Sequence, residues 1–188
     1  MVTDLSNIDV FFNDLHQPQR PESIETCVER IRSAARDANI TTEPLDIRAV
    51  VAELFKLKIE EADLGRDVCG FLEKAGCDWQ MYINIRASDG RKRFVIAREL
   101  GHFVFYRDKY IADASLKPTS LVFRYDETDP IERQATDFAL ALMLPKNVFM
   151  AYIERSCITI EKLSYIFGVS TSVVTCRAAK LGCLLFLN

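Results

Sequence analysis

Histidine is scarce in this chain: His16 and His102 are the only two among 188 residues. That scarcity excludes any metal centre built on three imidazoles, and a centre built on two would have to bring this distant pair together. Charge of one sign is lacking as well. Lys and Arg number 24 against 27 Asp and Glu, a formal net charge of -3, so nothing attracts nucleic acid in general and any such contact needs a local basic patch. No apolar run approaches the ~20 residues that a membrane-spanning helix requires. The opening Met1-Val2-Thr3-Asp4 has neither the basic nor the apolar region of a signal peptide, which makes a cytoplasmic location the expectation. Cysteine is present, at 27, 69, 77, 157, 176 and 183, but without a C-x-x-C pair and mostly in apolar surroundings. Reduced, packed thiols are expected rather than a disulfide framework.

What remains, 49% hydrophobic and 27% charged, is the composition of one compact domain or one domain with a small appendage. Residues 1–22 are polar, end in His16-Gln17-Pro18-Gln19-Arg20-Pro21, and read as a flexible arm. From Ser23, the positions Ile24, Val28, Ile31, Ala35 and Ala38 follow helical spacing. Pro44 and Asp46 open a second helix with Ile47, Val50, Val51 and Leu54 on its inner face. Residues 67–73 and 80–86 read as strands of a hairpin, with Gly76 and Asp78 supplying the turn. A helix is expected from about Arg91 to Tyr106, followed by a polar connection over roughly 107–128 that either borders a cleft as a lid or wanders over the surface. Asp129 and Pro130 have the chemistry of an N-cap and first helical residue for a helix through Leu144. Pro145 then breaks it and starts a shorter one carrying Val148, Phe149, Tyr152 and Ile153. Residues 156–188 hold a helix-turn-helix pattern around Gly168-Val169-Ser170.

The stretch with chemistry in it is Arg98-Glu99-Leu100-Gly101-His102. Positions 98 and 102 are one turn apart on a helix, the spacing at which the two histidines of H-E-x-x-H grip one zinc with the Glu as general base. Here the first of those positions is a cation. Downstream, Glu132 at the start of its helix is placed as a distant third ligand, completing a His/His/Glu pattern in which one His has become Arg.

Three segments together resemble the ImmA/IrrE family of metallo-endopeptidases. Members read R-x-R-F-T-x-A-H-E-L-G-H and then E-x-x-A-x-x-F-A-x-x-L-L-x-P. This chain has Arg91-Lys92-Arg93-Phe94-Val95-Ile96-Ala97-Arg98-Glu99-Leu100-Gly101-His102, then Glu132 through Ala135, Phe138, Ala139 and Leu142 to Pro145. Tyr82-Ile83-Asn84 corresponds to the strand before the motif helix, and the likeness runs from roughly residue 25 to the C-terminus. It implies an α+β, gluzincin-like minimal metallopeptidase core: a short antiparallel sheet plus helices, spanning residues 23–155, with a helix-turn-helix-like segment at 156–188. It also implies metal ligands at His102 and Glu132, Glu99 as general base, and a cleft strand carrying Tyr82 and Asn84. For members with an intact motif it implies a zinc endopeptidase that cuts a helix-turn-helix repressor.

Arg98 turns the expectation away from that activity. Its guanidinium is suited to pair with Glu132 or Glu99 and so to take over part of the metal's charge role; the plain alternative sends it to solvent. His16 would have to be carried into the cleft to replace the missing ligand. The expectation is therefore a regulatory protein with a degenerate site and no cofactor, binding a repressor or other protein partner without cutting it; an active zinc peptidase is the alternative. DNA contact by the C-terminal segment has thin support, because its second helix, about Ser172 to Lys180, carries only Arg177 and Lys180 as bases. Arg91-Lys92-Arg93 reads as a solvated face, an anchor for the strand-to-helix turn, or a surface for an acidic partner.

Overall fold

The computed structural model describes residues 23–75, 78–112, 119–121, 129–154 and 158–184. The expected arm at 1–22 and the turn residue Gly76 lie outside the described residues. In chain order the elements are α1 (Ile24–Asp37), α2 (Ile47–Ala49), which runs on as a π-helical turn (Val50–Leu54), β1 (Lys58–Ala62), β2 (Val68–Ala75), β3 (Asp78–Asn84), α3 (Asp89–Ala112), β4 (Thr119–Leu121), α4 (Pro130–Met143), α5 (Lys146–Ile153), α6 (Ile160–Phe167) and α7 (Thr171–Lys180). The fold is α+β. No described helix is long and apolar enough to cross a membrane.

Local chemistry starts the helices where side-chain oxygens can take up orphan backbone donors. Ser23 accepts from Thr26 N, Asp46 from Ala49 N, Asp129 from Ile131 N and Thr159 from Lys162 N. Pro130 occupies the first turn of α4, where a missing N–H costs nothing.

The sheet departs from the antiparallel arrangement expected. Its order is β1-β3-β2-β4, with β2 antiparallel to both β3 and β4 but β1 parallel to β3. The reason is insertion: β3 pairs between β1 and β2, so the strand that returns against β2 must run alongside β1 in the same direction. The connection from β1 to β2 therefore passes the end of β3. There the amide of Asn84 donates to Gly65 O at 2.8 Å and to Val68 O at 2.7 Å, and Gly65 supplies a left-handed φ of 78°. Met81 and Ile83 on β3 and Leu72 on β2 face the core, while Tyr82 lies on the other face, stacked on Phe71 at 4.9 Å between ring centroids.

Two further expectations change. The motif helix is longer than Arg91–Tyr106, and the expected polar connection at 107–128 begins as its last turns and contains β4; residues 113–118 and 122–128 lie outside the described residues. Of the cysteines, Cys69 and Cys183 are free thiols, and Cys77 and Cys157 fall outside the described residues.

α3 crosses the core with sheet on one side and α4 on the other. Phe94, Ile96, Ala97 and Leu100 of α3 and Phe138, Ala139 and Leu142 of α4 belong to one core, and these and Ala135 of α4 are all essentially inaccessible. Gly101 sets how near the two helices come: a Cβ there would lie 2.9 Å from Phe138 Cδ1 and 3.2 Å from both Ala135 Cα and Ala135 O. Three arginines brace the surrounding helices by donating to backbone carbonyls. Arg32 reaches Leu142 O and Thr42 O, each at 3.0 Å. Arg177 reaches Leu144 O at 2.9 Å, and Arg93 reaches Gly168 O at 2.8 Å and Leu45 O at 2.7 Å. Two of these braces fall on the C-terminal end of α4, where carbonyls lack helical partners and a cation is favoured by the helix dipole.

Candidate functional site

Burial of alternate faces leaves one stripe of α3 turned toward the first turn of α4. At one-turn intervals it carries Arg98, His102 and Tyr106. Opposite them, the Asp129 cap and Pro130 fix where α4 begins, and so where Glu132 stands. The Glu132 carboxylate faces two side chains: Arg98 Nη2 pairs with Oε2 at 2.9 Å, and His102 Nε2 lies 3.4 Å from Oε1. The side chains are 11% exposed for Arg98, 25% for Glu132 and 1% for His102, so the ion pair sits at the mouth of the site with the imidazole beneath it. One turn further, Tyr106 donates a short hydrogen bond to Gln134 on α4. The sequence reading missed that tie, although the spacing 98, 102, 106 pointed to Tyr106.

Glu99 is the anomaly. It is fully buried, and neither carboxylate oxygen has a hydrogen-bond partner among the described residues. Burial pushes its carboxyl above the usual range; the charges of His102 and Arg98 pull the other way, and Glu132 adds to the rise. A buried acid with nothing to accept from is expensive in its charged form, by several kcal/mol for an unpaired ion even after relaxation, as an order of magnitude.

An intact motif of this kind implies zinc. Zinc needs lone pairs on N, O or S in a tetrahedral set, and guanidinium has none to give. Arg98 stands where the first imidazole would be and already holds the Glu132 carboxylate. Among the described residues no group of three or more His, Cys, Asp and Glu is placed to hold a metal ion. His16 lies outside the described residues. The residues present do not fit a catalytic zinc.

Other expected site residues are placed elsewhere. Tyr82 points away from α3, and Asn84 spends its amide on the β1–β2 connection while its oxygen accepts from Arg86 N at 3.0 Å. The two strand residues do not line the Arg98 site. The basic triplet is split: Lys92 pairs with Glu61 at 2.6 Å, and Arg93 is spent on carbonyls. On α7, Arg177 is turned inward to Leu144 O, and Lys180 pairs with Asp137 at 2.6 Å.

Among curated proteins none matches the chain significantly. A solved structure of a Mycobacterium tuberculosis transcriptional regulator shares the fold, with a TM-score of 0.58 at 18% identity. The match covers 93% of this chain and 51% of that one, so this chain spans about half the length of the structure it resembles. The family model of the IrrE N-terminal-like domain matches residues 42–178, which include both helices of the site, the whole sheet and most of α7. The chain belongs to the IrrE N-terminal-like domain family, the ImmA/IrrE family that its motifs resemble.

Proposed function

We propose that this chain is a regulatory member of its family with a degenerate peptidase site, acting by binding a helix-turn-helix repressor or another protein partner without cutting it. The observation that carries this reading is the 2.9 Å contact between Arg98 and Glu132. A guanidinium there supplies positive charge to the carboxylate, as a metal would, but it has no open coordination position and cannot lower the pKa of a bound water. Glu99, the general base of an intact motif, then has no polarised water to act on and remains a buried acid. The name of the solved regulator is consistent with a regulatory role.

Recognition of DNA by the C-terminal helices finds little support. A reading helix needs cations free to meet phosphates. Here Arg177 is committed to a carbonyl and Lys180 to Asp137. A protein surface is the better match for the exposed faces of α6 and α7.

The experiment combines metal content with partner fate. Protein purified without chelator or added metal is analysed for zinc, then incubated with a helix-turn-helix repressor from the same organism. The expected result is far less than one zinc per chain and a complex in which the repressor stays intact. Stoichiometric zinc with repressor fragments would overturn the reading.

A further inference from the structure

β1 pairs with β3 on one side, and its other edge has no strand against it among the described residues. Beside β1, over the face it shares with β3 and next to the π-helical turn, lies an open groove of about 650 Å³ lined in part by Arg48, Lys56, Leu57, Lys58, Glu60 and Gln80. None of the residues of the Arg98 site takes part in it. Three of these six side chains are cationic and one anionic, in a chain whose net charge is -3.

The cations differ in how they are held. Arg48 is paired with Glu61, which also takes Lys92. Lys56 and Lys58 are exposed and have no ion pair among the described residues. Glu60 accepts from the Gln80 amide at 2.6 Å and keeps its charge, so Lys56 and Lys58 set two unpaired cations against one anion in the groove. The backbone is unusual at the same place. The π-helical turn Val50–Leu54 hands over to β1 through Lys56, whose φ of 53° is left-handed, a conformation that costs a residue with a Cβ roughly 1–2 kcal/mol. Glycine or asparagine would fill that position with less strain, so the lysine is held there against a conformational cost.

Lysine on an edge strand is the usual guard against unwanted pairing. The guard is selective by sign: it repels a basic strand, penalises an apolar one through desolvation, and attracts one that brings carboxylates. An open edge supplies main-chain donors and acceptors to an incoming strand, and the groove supplies room for its side chains. We propose that the β1 edge and its groove form a docking site for an extended, acidic segment of a protein partner, which adds as a strand beside β1 and pairs its carboxylates with Lys56 and Lys58. The site is separate from the Arg98–Glu132 pair and holds whether or not that pair has replaced a metal.

The test uses three fluorescent probes of equal length: a peptide alternating Glu and Val, its Lys and Val counterpart, and an oligothymidine. Fluorescence anisotropy with the full chain at low and physiological salt should show the acidic peptide binding at least about tenfold more tightly than either other probe. Lys56→Asp together with Lys58→Glu should reduce that binding by about tenfold or more; Asp is tolerated at a left-handed position. Lys58→Glu alone, at an ordinary strand position, should give a smaller loss and covers the case in which the double variant folds poorly. Hydrogen exchange should show new protection at β1 amides when the acidic peptide is bound. Tighter binding of oligothymidine or of the basic peptide, unchanged binding in Lys58→Glu, or protection confined to other elements would each overturn the proposal.

Discussion

Arg98→His places an imidazole one turn before His102, on the face that already looks at Glu132. Two opposite effects follow. Without metal, the variant loses the guanidinium of a pair whose side chains are 11% and 25% exposed, leaving Glu132 with less compensation. Partners this far from solvent put the loss at about 1–3 kcal/mol, roughly 3–10 °C in Tm for a chain of this size. With zinc, His102, Glu132 and the introduced imidazole supply three ligands and leave a fourth position open. Loss of a supporting partner around a metal site costs about 10–100-fold in affinity, so gain of a direct ligand should exceed about 100-fold, or about 2.7 kcal/mol. Zinc at 100 times its Kd would then return about 2.7 kcal/mol to the folded state, close to what the substitution removed. The assay is paired: zinc titration by calorimetry, and thermal melts of parent and variant with and without zinc. The parent should melt at one temperature throughout, and the variant should melt low when metal-free and recover when loaded. Equal zinc affinity in the two proteins would refute the reasoning, because Arg98 would then not be what disqualifies the site.

Two further substitutions probe the same helix pair. Glu99 has its folded-state pKa raised, so its contribution to stability is fully present below the ordinary carboxylate value and is lost as pH rises through the folded value. Glu99→Gln should therefore remove a fall in stability on going from acid to neutral pH and gain about 1–2 kcal/mol at neutrality by urea unfolding; an unchanged pH profile would show the carboxyl to be satisfied. Gly101→Ala adds a methyl 2.9 Å from Phe138 Cδ1 and 3.2 Å from the Ala135 backbone. It gains about 1 kcal/mol of helix propensity but should still lose about 1–3 kcal/mol net, because α3 and α4 must move apart. A variant at least as stable as the parent would mean that the contact relaxes freely.

The helices were legible because their signals are local. Asp129 and Pro130 announce the start of α4, and Ala135, Phe138, Ala139 and Leu142 recur at helical spacing, so that element was placed almost to the residue. β1 was missed for the converse reason. Lys58-Ile59-Glu60-Glu61-Ala62 is charged at three of five positions because it lies at an edge, and an edge strand buries too little to print an alternating pattern. Its parallel pairing depends on β3 entering between it and β2, a choice that no window of sequence contains. At the site, the stripe 98–102 could be read from helical spacing and the Arg98 pairing argued from charge, but not which carboxylate Arg98 would take. Asn84 was misplaced because a strand residue was assumed to serve the cleft, whereas its amide answers carbonyls 16 and 19 positions back. The fates of Arg93 and Arg177 were equally invisible, since their acceptors are 75, 48 and 33 positions away along the chain.

The carbonyl-seeking arginines bear on how the chain becomes folded during synthesis. The end of α4 receives one brace from Arg32, made early, and another from Arg177, made late. Arg93 likewise waits for Gly168 before its Nε–H finds an acceptor, and Gly90 lies so close to Val169 and Ser170 that a Cβ there would approach Val169 C to 2.9 Å. A nascent chain halted after α5 would hold both helices of the site but would leave a guanidinium donor and a helix-end carbonyl unanswered in its interior. Deleting the last two helices should therefore yield a loosened, aggregation-prone fragment instead of a smaller working domain.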